Sequence, residues 1–200
     1  MGQTTTELIL ASASPRRTEL LTAWGIPHRV VPAEVDERLS PDLDRTSAVI
    51  DLAHQKAQAV RNSLRDSGHD PSNSVWVMGA DTLVYLNNEP LGKPLDDDDA
   101  RRMLGHIAGQ PVDVITGVAL HALESDERLE GASISTCLMR PFGADEIDAY
   151  VATQEPRDKA GSFAIQGKGG ALVESLQGSR SNVIGLPEEL VKQMLAKAGF

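Results

Sequence analysis

The sequence lacks long apolar runs, and Cys137 is its only cysteine. A single cysteine excludes an internal disulfide, and no histidine stands at a recognisable pairing distance from it. We therefore expect Cys137 to be a small buried apolar residue rather than a catalytic thiol. No apolar run approaches membrane-spanning length, and the first residues lack the basic start and apolar stretch of a secretory signal. We expect a soluble, cytoplasmic protein with no membrane partner.

Positive charge is also scarce. The chain has 19 lysines and arginines against 29 aspartates and glutamates, and its formal net charge is −10. Because non-specific affinity for nucleic acid comes from many cations along one face, this balance argues against nucleic acid as a partner. A small polyanion could bind only where cations gather locally, or where a divalent metal offsets the carboxylates.

Common nucleotide and zinc motifs are absent as well. The segment GKGG belongs to no GxxxxGK[ST] loop and lacks GxGxxG spacing, so neither a P-loop ATPase nor a dinucleotide enzyme is indicated. The five histidines show no HExxH spacing, which argues against a zinc hydrolase, and we interpret them as structural or surface residues. The length fits most simply a single domain over residues 1–200, or two closely joined lobes.

The most informative segment is VWVMGADTLVYLNNEPLGKP, in which an apolar run ends near the carboxylate of Asp81. A continuous apolar run predicts a strand buried on both faces, and ligands gather at the carboxyl ends of such strands. If the two asparagines form a type I′ turn, Thr82 pairs with Lys93 and Lys93 comes near Asp81. A catalytic base beside a cation is one interpretation, and a surface ion pair is the other.

Two further segments present cations. LASASPRR predicts a short strand, a loop and a helix with Ser14 as N-cap and Arg16 and Arg17 in its first turn. Such a helix start favours a phosphate, whereas the alternative is that both arginines are solvated. In the helix predicted from about Arg45 to Leu64, Lys56 falls inside the apolar stripe, so its ammonium either snorkels to solvent or meets an anion such as a phosphate.

The acidic segments have different interpretations. In AEVDERLSPDLD, Asp36 or Glu37 could face inward as an oxygen ligand for Mg²⁺. The run Asp96–Asp99 precedes a helical stripe, so we interpret it as a helix cap and first turn rather than a metal cluster. Two long strands should follow, from Val112 to Ala122 and from Arg128 to Met139.

A glycine-rich, polar segment lies between a short helix that ends near Ala152 and a last helix that begins at Pro187. It is too long for a simple connector, and long ordered loops are usually functional. Its amides could read a nucleobase and its lysines could meet phosphates: these are Gln166, Asn182, Lys159 and Lys168.

The ordered motifs LASASPRR, AEVDE, LAHQKA, GADTLV, LGKP, ITGV, DKAGSFAIQG and SNVIGLP together resemble the Maf family of nucleoside triphosphate pyrophosphatases over nearly the whole chain. The resemblance implies an α/β fold like that of the inosine triphosphate pyrophosphatases, with an elongated mixed sheet flanked by helices and two lobes around a central cleft. It also implies a homodimer, a nucleoside triphosphate substrate that is split into monophosphate and pyrophosphate, and a divalent metal cation, Mg²⁺ first, with Mn²⁺ or Co²⁺ as alternatives.

On the matching motifs, the resemblance implies that Asp81 is the catalytic carboxylate, which orients or deprotonates a water that attacks the α-phosphorus. It implies Glu37 and Asp81 as metal ligands. The positions that it implies for substrate binding are Ser12, Arg16, Arg17, Lys56, Thr82, Lys93, Lys159 and Gln166.

Arg16, Thr82 and Gln166 match positions linked to pyrimidine selectivity in the branch that resembles dTTP and UTP pyrophosphatases. The expected substrates are therefore dTTP, UTP and modified pyrimidine triphosphates. Val112 and Phe163 depart from a frequent His and a frequent Tyr of the family, which leaves the exact pyrimidine open. The alternatives are a 7-methyl-GTP-type pyrophosphatase, a nucleotide-binding regulator of septation without turnover, and a nucleotidyltransferase that needs a second acceptor.

Overall fold

The computed structural model describes residues 6–36, 40, 42–68 and 74–200, and within them seven strands form one mixed sheet. The strands are β1 (Thr6–Leu10), β2 (Arg29–Val30), β3 (Ser74–Leu86), β4 (Glu89–Leu91), β5 (Pro111–Ala122), β6 (Arg128–Met139) and β7 (Val173–Gln177). Their order is β2-β1-β3-β5-β6-β7, with β4 paired to β3. Strand β1 is parallel to β2 and β3, whereas the β3–β4 and β6–β7 pairs are antiparallel.

Among the described elements, helices connect most successive strands, and only the β3–β4 and β5–β6 connections lack one. This confirms the predicted α/β class with a mixed sheet flanked by helices. They are α1 (Pro15–Ala23), α2 (Arg45–Asp66), α3 (Asp97–Ile107), α4 (Ala144–Val151), α5 (Arg180–Ile184) and α6 (Glu188–Lys197). Across the part of the chain that the structure describes, no helix combines the length and the apolar character needed to cross a membrane.

The segment between Ala152 and Pro187 is not one long loop, and this part of the prediction is wrong. It contains three short 3₁₀ turns, strand β7 and helix α5, the turns being Glu155–Asp158, Ala160–Ser162 and Gly167–Leu172. Strand β7 escaped prediction because it is short, and its two apolar side chains, Val173 and Leu176, are only half-buried.

The described chain forms two compact units. The first comprises Met1–Asp81, Thr116–Ala132 and Gly185–Phe200, and the second comprises Thr82–Ile115 and Ser133–Ile184. The single domain over residues 1–200 and the two lobes around a cleft stay predictions.

In the first unit the sheet is buried on both faces, as the apolar run of β3 predicted. One core cluster contains Trp76 and Met78 together with side chains from α1 and α6. The other contains Val75 and Val77 together with side chains from α2. Successive side chains of a strand point to opposite faces, so β3 supplies both cores in alternation.

The second unit has a separate apolar core. It joins strand residues such as Val114 and Met139 to α3 and to the 3₁₀ region that contains Phe163 and Ile165. Cys137 is part of this core and is fully buried. Burial raises the pKa of its thiol to about 11, so the thiol is uncharged near neutral pH, as expected of an unreactive core residue.

Candidate active site

Asp81 lies inside β3, not at the end of a strand as the apolar run indicated, because β3 continues to Leu86. The neighbouring strand β1 ends earlier: Leu10 is paired with Met78, and the backbone N–H of Ala11 donates to the Met78 carbonyl at 2.8 Å. Asp81 therefore follows directly after the carboxyl end of the parallel partner, which is where ligand-binding side chains of parallel sheets lie.

The side chain of Asp81 faces helix α2. Val75 and Val77 pack in the α2 core cluster, and alternation along the strand places Gly79 and Asp81 on that same face. Asp81 Oδ1 accepts a hydrogen bond from Lys56 Nζ of α2 at 2.5 Å. The two residues are 6% and 8% exposed, respectively, so this is a buried ion pair.

This contact decides between the two interpretations of Lys56. Its ammonium does not snorkel to solvent, because it meets an anion within the fold, and that anion is the Asp81 carboxylate. Burying either charge alone would cost several kcal/mol, so each of the two charges stabilises the other in this position. A role of Lys56 toward a phosphate stays a prediction.

Two glycines allow α2 to lie directly on the sheet. A Cβ atom at Gly79 would stand 2.0 Å from the Ala53 carbonyl oxygen, and one at Gly117 would stand 2.4 Å from the carbonyl oxygen of Val49. Both contacts are to helix backbone, so only a residue without a side chain fits at either position. The close approach brings Lys56 to Asp81.

Ser12 and Arg17 form a second buried polar group of the first unit. Arg17 Nη1 donates to Ser12 Oγ at 3.1 Å, and Arg17 Nε donates to the Gly185 carbonyl at 2.9 Å. Ser12 Oγ also accepts from the backbone N–H of Ser14 at 3.2 Å. The interpretation of Arg17 as solvated is wrong, since its guanidinium ties the start of α1 to Gly185.

The start of α1 differs from the prediction in one detail. Ser14 occupies the N-cap position and Pro15 the first turn, as expected, but the Ser14 side chain makes no capping hydrogen bond. Arg16 in the same turn is half-buried, and its role in substrate binding stays a prediction.

The predicted metal ligands are only partly within the described residues. Glu37 lies outside them, and Asp36 is exposed. Among the residues the structure describes, no group of three or more histidine, cysteine, aspartate or glutamate side chains is placed to hold a metal ion. Mg²⁺ typically takes one or two carboxylates plus substrate phosphates, and a Mg²⁺ site that includes Asp81 stays a prediction.

In the second unit, the β3–β4 hairpin has the predicted register. Asn87 and Asn88 both have positive φ, at 51° and 71°, as a type I′ turn requires, and Leu86 pairs with Glu89. The pairing stops at Val84 and Leu91, however. Thr82 and Lys93 are therefore not strand partners, because β4 ends two residues before Lys93.

Lys93 and Lys159 lie on adjacent backbone segments. The Gly161 N–H donates to the Gly92 carbonyl at 3.0 Å, which joins the residue before Lys93 to the turn after Lys159. Lys93 is exposed, whereas Lys159 is half-buried and forms an ion pair with Asp158. The structure thus joins the two backbone segments that carry these cations, which lie far apart in sequence.

Gln166 and Asn182 differ sharply in exposure. Gln166 is exposed. Asn182 is fully buried, and its amide nitrogen donates to the Val114 carbonyl and to Ser135 Oγ, both at 2.9 Å. The prediction that Asn182 reads a nucleobase is therefore wrong, because its amide is part of the core.

Sequence reasoning missed two polar networks. In the second unit, the Glu155 carboxylate accepts from the Tyr150 hydroxyl and from the backbone N–H groups of Lys168 and Gly169, which follow Gln166. In the first unit, His54 Nδ1 lies 2.7 Å from His121 Nε2 and its Nε2 contacts the Glu130 carboxylate. Both networks join residues that are far apart in sequence or lie in irregular structure, so no spacing marks them. The interpretation of His54 and His121 as structural residues agrees with their place between α2 and the β5–β6 strands.

A family model described as "Maf-like protein" matches residues 7–198. A protein of Anaeromyxobacter sp. (strain Fw109-5) named dTTP/UTP pyrophosphatase is 44% identical over 200 residues, covering 96% of this chain and 89% of the relative. Proteins with the same name from Desulfitobacterium hafniense and Shewanella oneidensis are 47% and 43% identical, over 96% of this chain and 86% and 98% of their own lengths.

Among solved structures, the Ham1 protein of Staphylococcus aureus matches at a TM-score of 0.46 and 14% identity, covering 96% of this chain and 98% of that one. This likeness is too weak to carry an argument. The family assignment comes instead from the match over nearly the whole length and from relatives at more than 40% identity, and it confirms the resemblance inferred from the ordered motifs. The chain belongs to the Maf family.

Proposed function

We propose that this protein hydrolyses nucleoside triphosphates, dTTP and UTP first, to the monophosphate and pyrophosphate. The observation that carries the proposal is the buried Asp81–Lys56 pair in a chain of this family. Its carboxylate lies in β3, just beyond the point where the neighbouring parallel strand β1 ends. The names of the relatives support the reaction and the pyrimidine substrates.

The chemistry asked of Asp81 is to orient a water, or take its proton, as that water attacks the α-phosphorus. A buried carboxylate performs this role well when its position is fixed, because misplacement by 1 Å can cost about 10²-fold in rate. Lys56 holds Oδ1 through a bond of 2.5 Å, which fixes the orientation of the Asp81 carboxylate.

We assign the other functional groups by chemistry. The lysines of the second unit, Lys93 and Lys159, would bind phosphate oxygens, and Gln166 would read the base through its amide. In the first unit Arg16, Arg17 and Ser12 would bind phosphate at the start of α1, where backbone N–H groups favour an anion.

We infer that Mg²⁺ is the metal cofactor, with Asp81 as a protein ligand and Glu37 as the predicted second ligand. When bound, such an ion stabilises negative charge that develops on phosphate oxygens. We also propose a homodimer and a cytoplasmic location, and both stay predictions.

The test is release of pyrophosphate from a panel of triphosphates, including dTTP, UTP, CTP and 7-methyl-GTP, with Mg²⁺ and no other acceptor. We expect turnover of dTTP and UTP and a loss of about 10²- to 10⁴-fold in kcat for Asp81→Asn, because the amide cannot take a proton from water. Asp113→Asn is the matched control, since Asp113 is also a strand aspartate whose carboxylate accepts a side-chain hydrogen bond, from Thr136 Oγ1 at 2.8 Å. This control variant should keep its turnover.

The outcomes separate the alternatives. Binding of the nucleotide without pyrophosphate release would favour a non-catalytic regulator. Pyrophosphate release that requires a second acceptor would favour a nucleotidyltransferase. A preference for 7-methyl-GTP would favour the 7-methyl-GTP-type pyrophosphatases instead of the dTTP and UTP branch. Turnover that Asp81→Asn leaves unchanged would refute the proposed role of Asp81.

A further inference from the structure

Glu155 makes a set of contacts in the second unit that neither the motifs nor the proposed reaction account for. Its Oε1 accepts from the Tyr150 hydroxyl and from the Gly169 N–H, both at 2.9 Å, and its Oε2 accepts from the Lys168 N–H at 3.0 Å. One carboxylate thus holds two successive backbone N–H groups and a buried phenol. These are charge-assisted hydrogen bonds, which are stronger than bonds between neutral groups.

The ionisation of Glu155 agrees with this geometry. Burial acts to raise the pKa of its carboxyl, but the N–H bonds from Gly169 and Lys168 and the hydroxyl bond from Tyr150 outweigh burial and hold the pKa below its ordinary value. The carboxylate is therefore charged at neutral pH, and its contacts are those of the charged form.

The chain packs closely around this carboxylate. Gly167 has a φ of +74°, and a Cβ atom there would stand 2.6 Å from Glu155 Oε2. A Cβ atom at Gly169 would stand 2.4 Å from the Tyr150 hydroxyl oxygen. Both glycines are thus required for the backbone to wrap the Glu155–Tyr150 pair.

Gln166 lies between two anchors of this backbone. On its C-terminal side are the N–H groups of Lys168 and Gly169, which Glu155 holds. On its N-terminal side, the Ile165 carbonyl accepts from Arg180 Nη2 at 3.0 Å. Because the backbone is anchored on both sides, the position of the Gln166 Cα atom is fixed, and the exposed side chain extends from that fixed point.

We infer that Glu155 is a positioning residue for base selection, which acts by fixing the backbone that presents Gln166. The inference rests on the proposed function, because it needs a base-selective reaction. When the backbone at Gln166 is fixed, less entropy is lost as the side chain binds a base. The Gln166 amide can then discriminate between bases by the geometry of its hydrogen bonds.

The experiment compares pyrophosphate release from dTTP, UTP and CTP by the full-length protein and by Glu155→Gln. In the variant one carboxylate oxygen becomes an NH₂ group, which would face an N–H instead of accepting from it. We expect the KM for dTTP to rise about tenfold and selectivity among the three bases to fall, because a bond to a charged group is lost. The kcat should change by less than about threefold, since Glu155 does not act on the reacting atoms.

A double-mutant cycle distinguishes positioning from a general loss of stability. If Glu155 acts through Gln166, then Glu155→Gln should change the base selectivity of the wild-type chain but not that of Gln166→Ala. Glu174→Gln is the matched control: it removes the same charge from an exposed residue of β7 in the same unit, and selectivity should not change. Amide hydrogen exchange should accelerate at Lys168 and Gly169 in Glu155→Gln alone.

Each result decides the inference. Selectivity that is unchanged in Glu155→Gln, or that falls equally in both backgrounds of the cycle, would overturn it while the proposed function stands. A wild-type chain that releases no pyrophosphate would overturn the proposed function, and the inference would fall with it. If Glu155→Gln does not fold, Tyr150→Phe decides instead, because it removes one hydroxyl and should lower selectivity in the same direction.

Discussion

The close packing of α2 on β3 predicts a large effect of Gly79→Ala. The added Cβ would lie 2.0 Å from the carbonyl oxygen of Ala53 and 2.8 Å from the backbone nitrogen of Ala57. Ordinary contact begins near 3.4 Å, so the helix must move outward by about 1.4 Å. No side-chain rotation relieves this contact, because both atoms belong to the helix backbone.

The displacement should reduce both stability and activity. Overpacking of a core typically costs about 1–3 kcal/mol, and a clash with backbone belongs at the upper end of this range. For a chain of this size about 3 kcal/mol lowers Tm by roughly 6–12 °C. Lys56 lies between Ala53 and Ala57, so its bond to Asp81 lengthens as the helix moves, and we expect kcat to fall by about 10²-fold.

The assays are thermal unfolding and pyrophosphate release at a temperature where the variant is folded. Gly105→Ala is the control, since Gly105 lies in α3 with no atom within 4 Å of its Cβ position. Alanine is the better helix former, so this control should gain up to about 1 kcal/mol and keep its activity. If Gly79→Ala has the wild-type Tm and the wild-type kcat, then the close approach of α2 does not position Lys56.

Two further predictions concern stability. Burial, the main cause, and the neighbouring His54, the second, lower the pKa of His121 from 6.5 to about 4. As the pH falls, the unfolded chain therefore binds a proton at this histidine before the folded chain does. Between pH 7 and pH 5 this difference should lower the free energy of unfolding by about 2 kcal/mol. Urea unfolding at both pH values should show this loss in the wild type and not in His121→Gln, and parallel losses would refute the argument. Asp44 caps α2 by accepting from the N–H groups of Thr46 at 2.9 Å and Ser47 at 3.1 Å, so Asp44→Ala should lower the free energy of unfolding by about 1 kcal/mol. Asp42→Ala removes an exposed loop carboxylate two residues earlier and should have no comparable effect in the same measurement.

Periodicity was sufficient to predict most of the secondary structure. The helix predicted from Arg45 to Leu64 is α2, and the run Asp96–Asp99 caps α3 as expected, with Asp96 accepting from the Asp99 N–H at 2.8 Å. These features are local: a cap and an apolar stripe depend on residues within one or two turns. Short elements with little burial, such as β7, carry no comparable signal.

Local patterns were also sufficient to select the candidate residues, but not to describe their contacts. Lys56 was singled out because a charge stood in an apolar stripe, and the alternatives of solvent and anion stayed open until Asp81 was placed beside it. For Arg17 the sequence left phosphate binding and solvation open, and nothing in the motif LASASPRR indicates that the Gly185 carbonyl accepts from its guanidinium. A bond between residues so far apart in sequence follows only from the packing of the chain.

The sequence alone determined that this chain is an α/β protein of the Maf family with an acid at position 81 and scattered cations. Composition, periodicity and the order of the motifs can all be read along the chain without knowing how it packs. Only the tertiary structure decided which charges meet. Gly79 and Gly117 let α2 approach the sheet closely enough for Lys56 to reach Asp81. Glu155 holds the backbone N–H groups of Lys168 and Gly169, more than ten residues further along the chain. The physical reason is that hydrogen bonds and ion pairs act over about 3 Å, a distance that depends on how whole helices and strands pack.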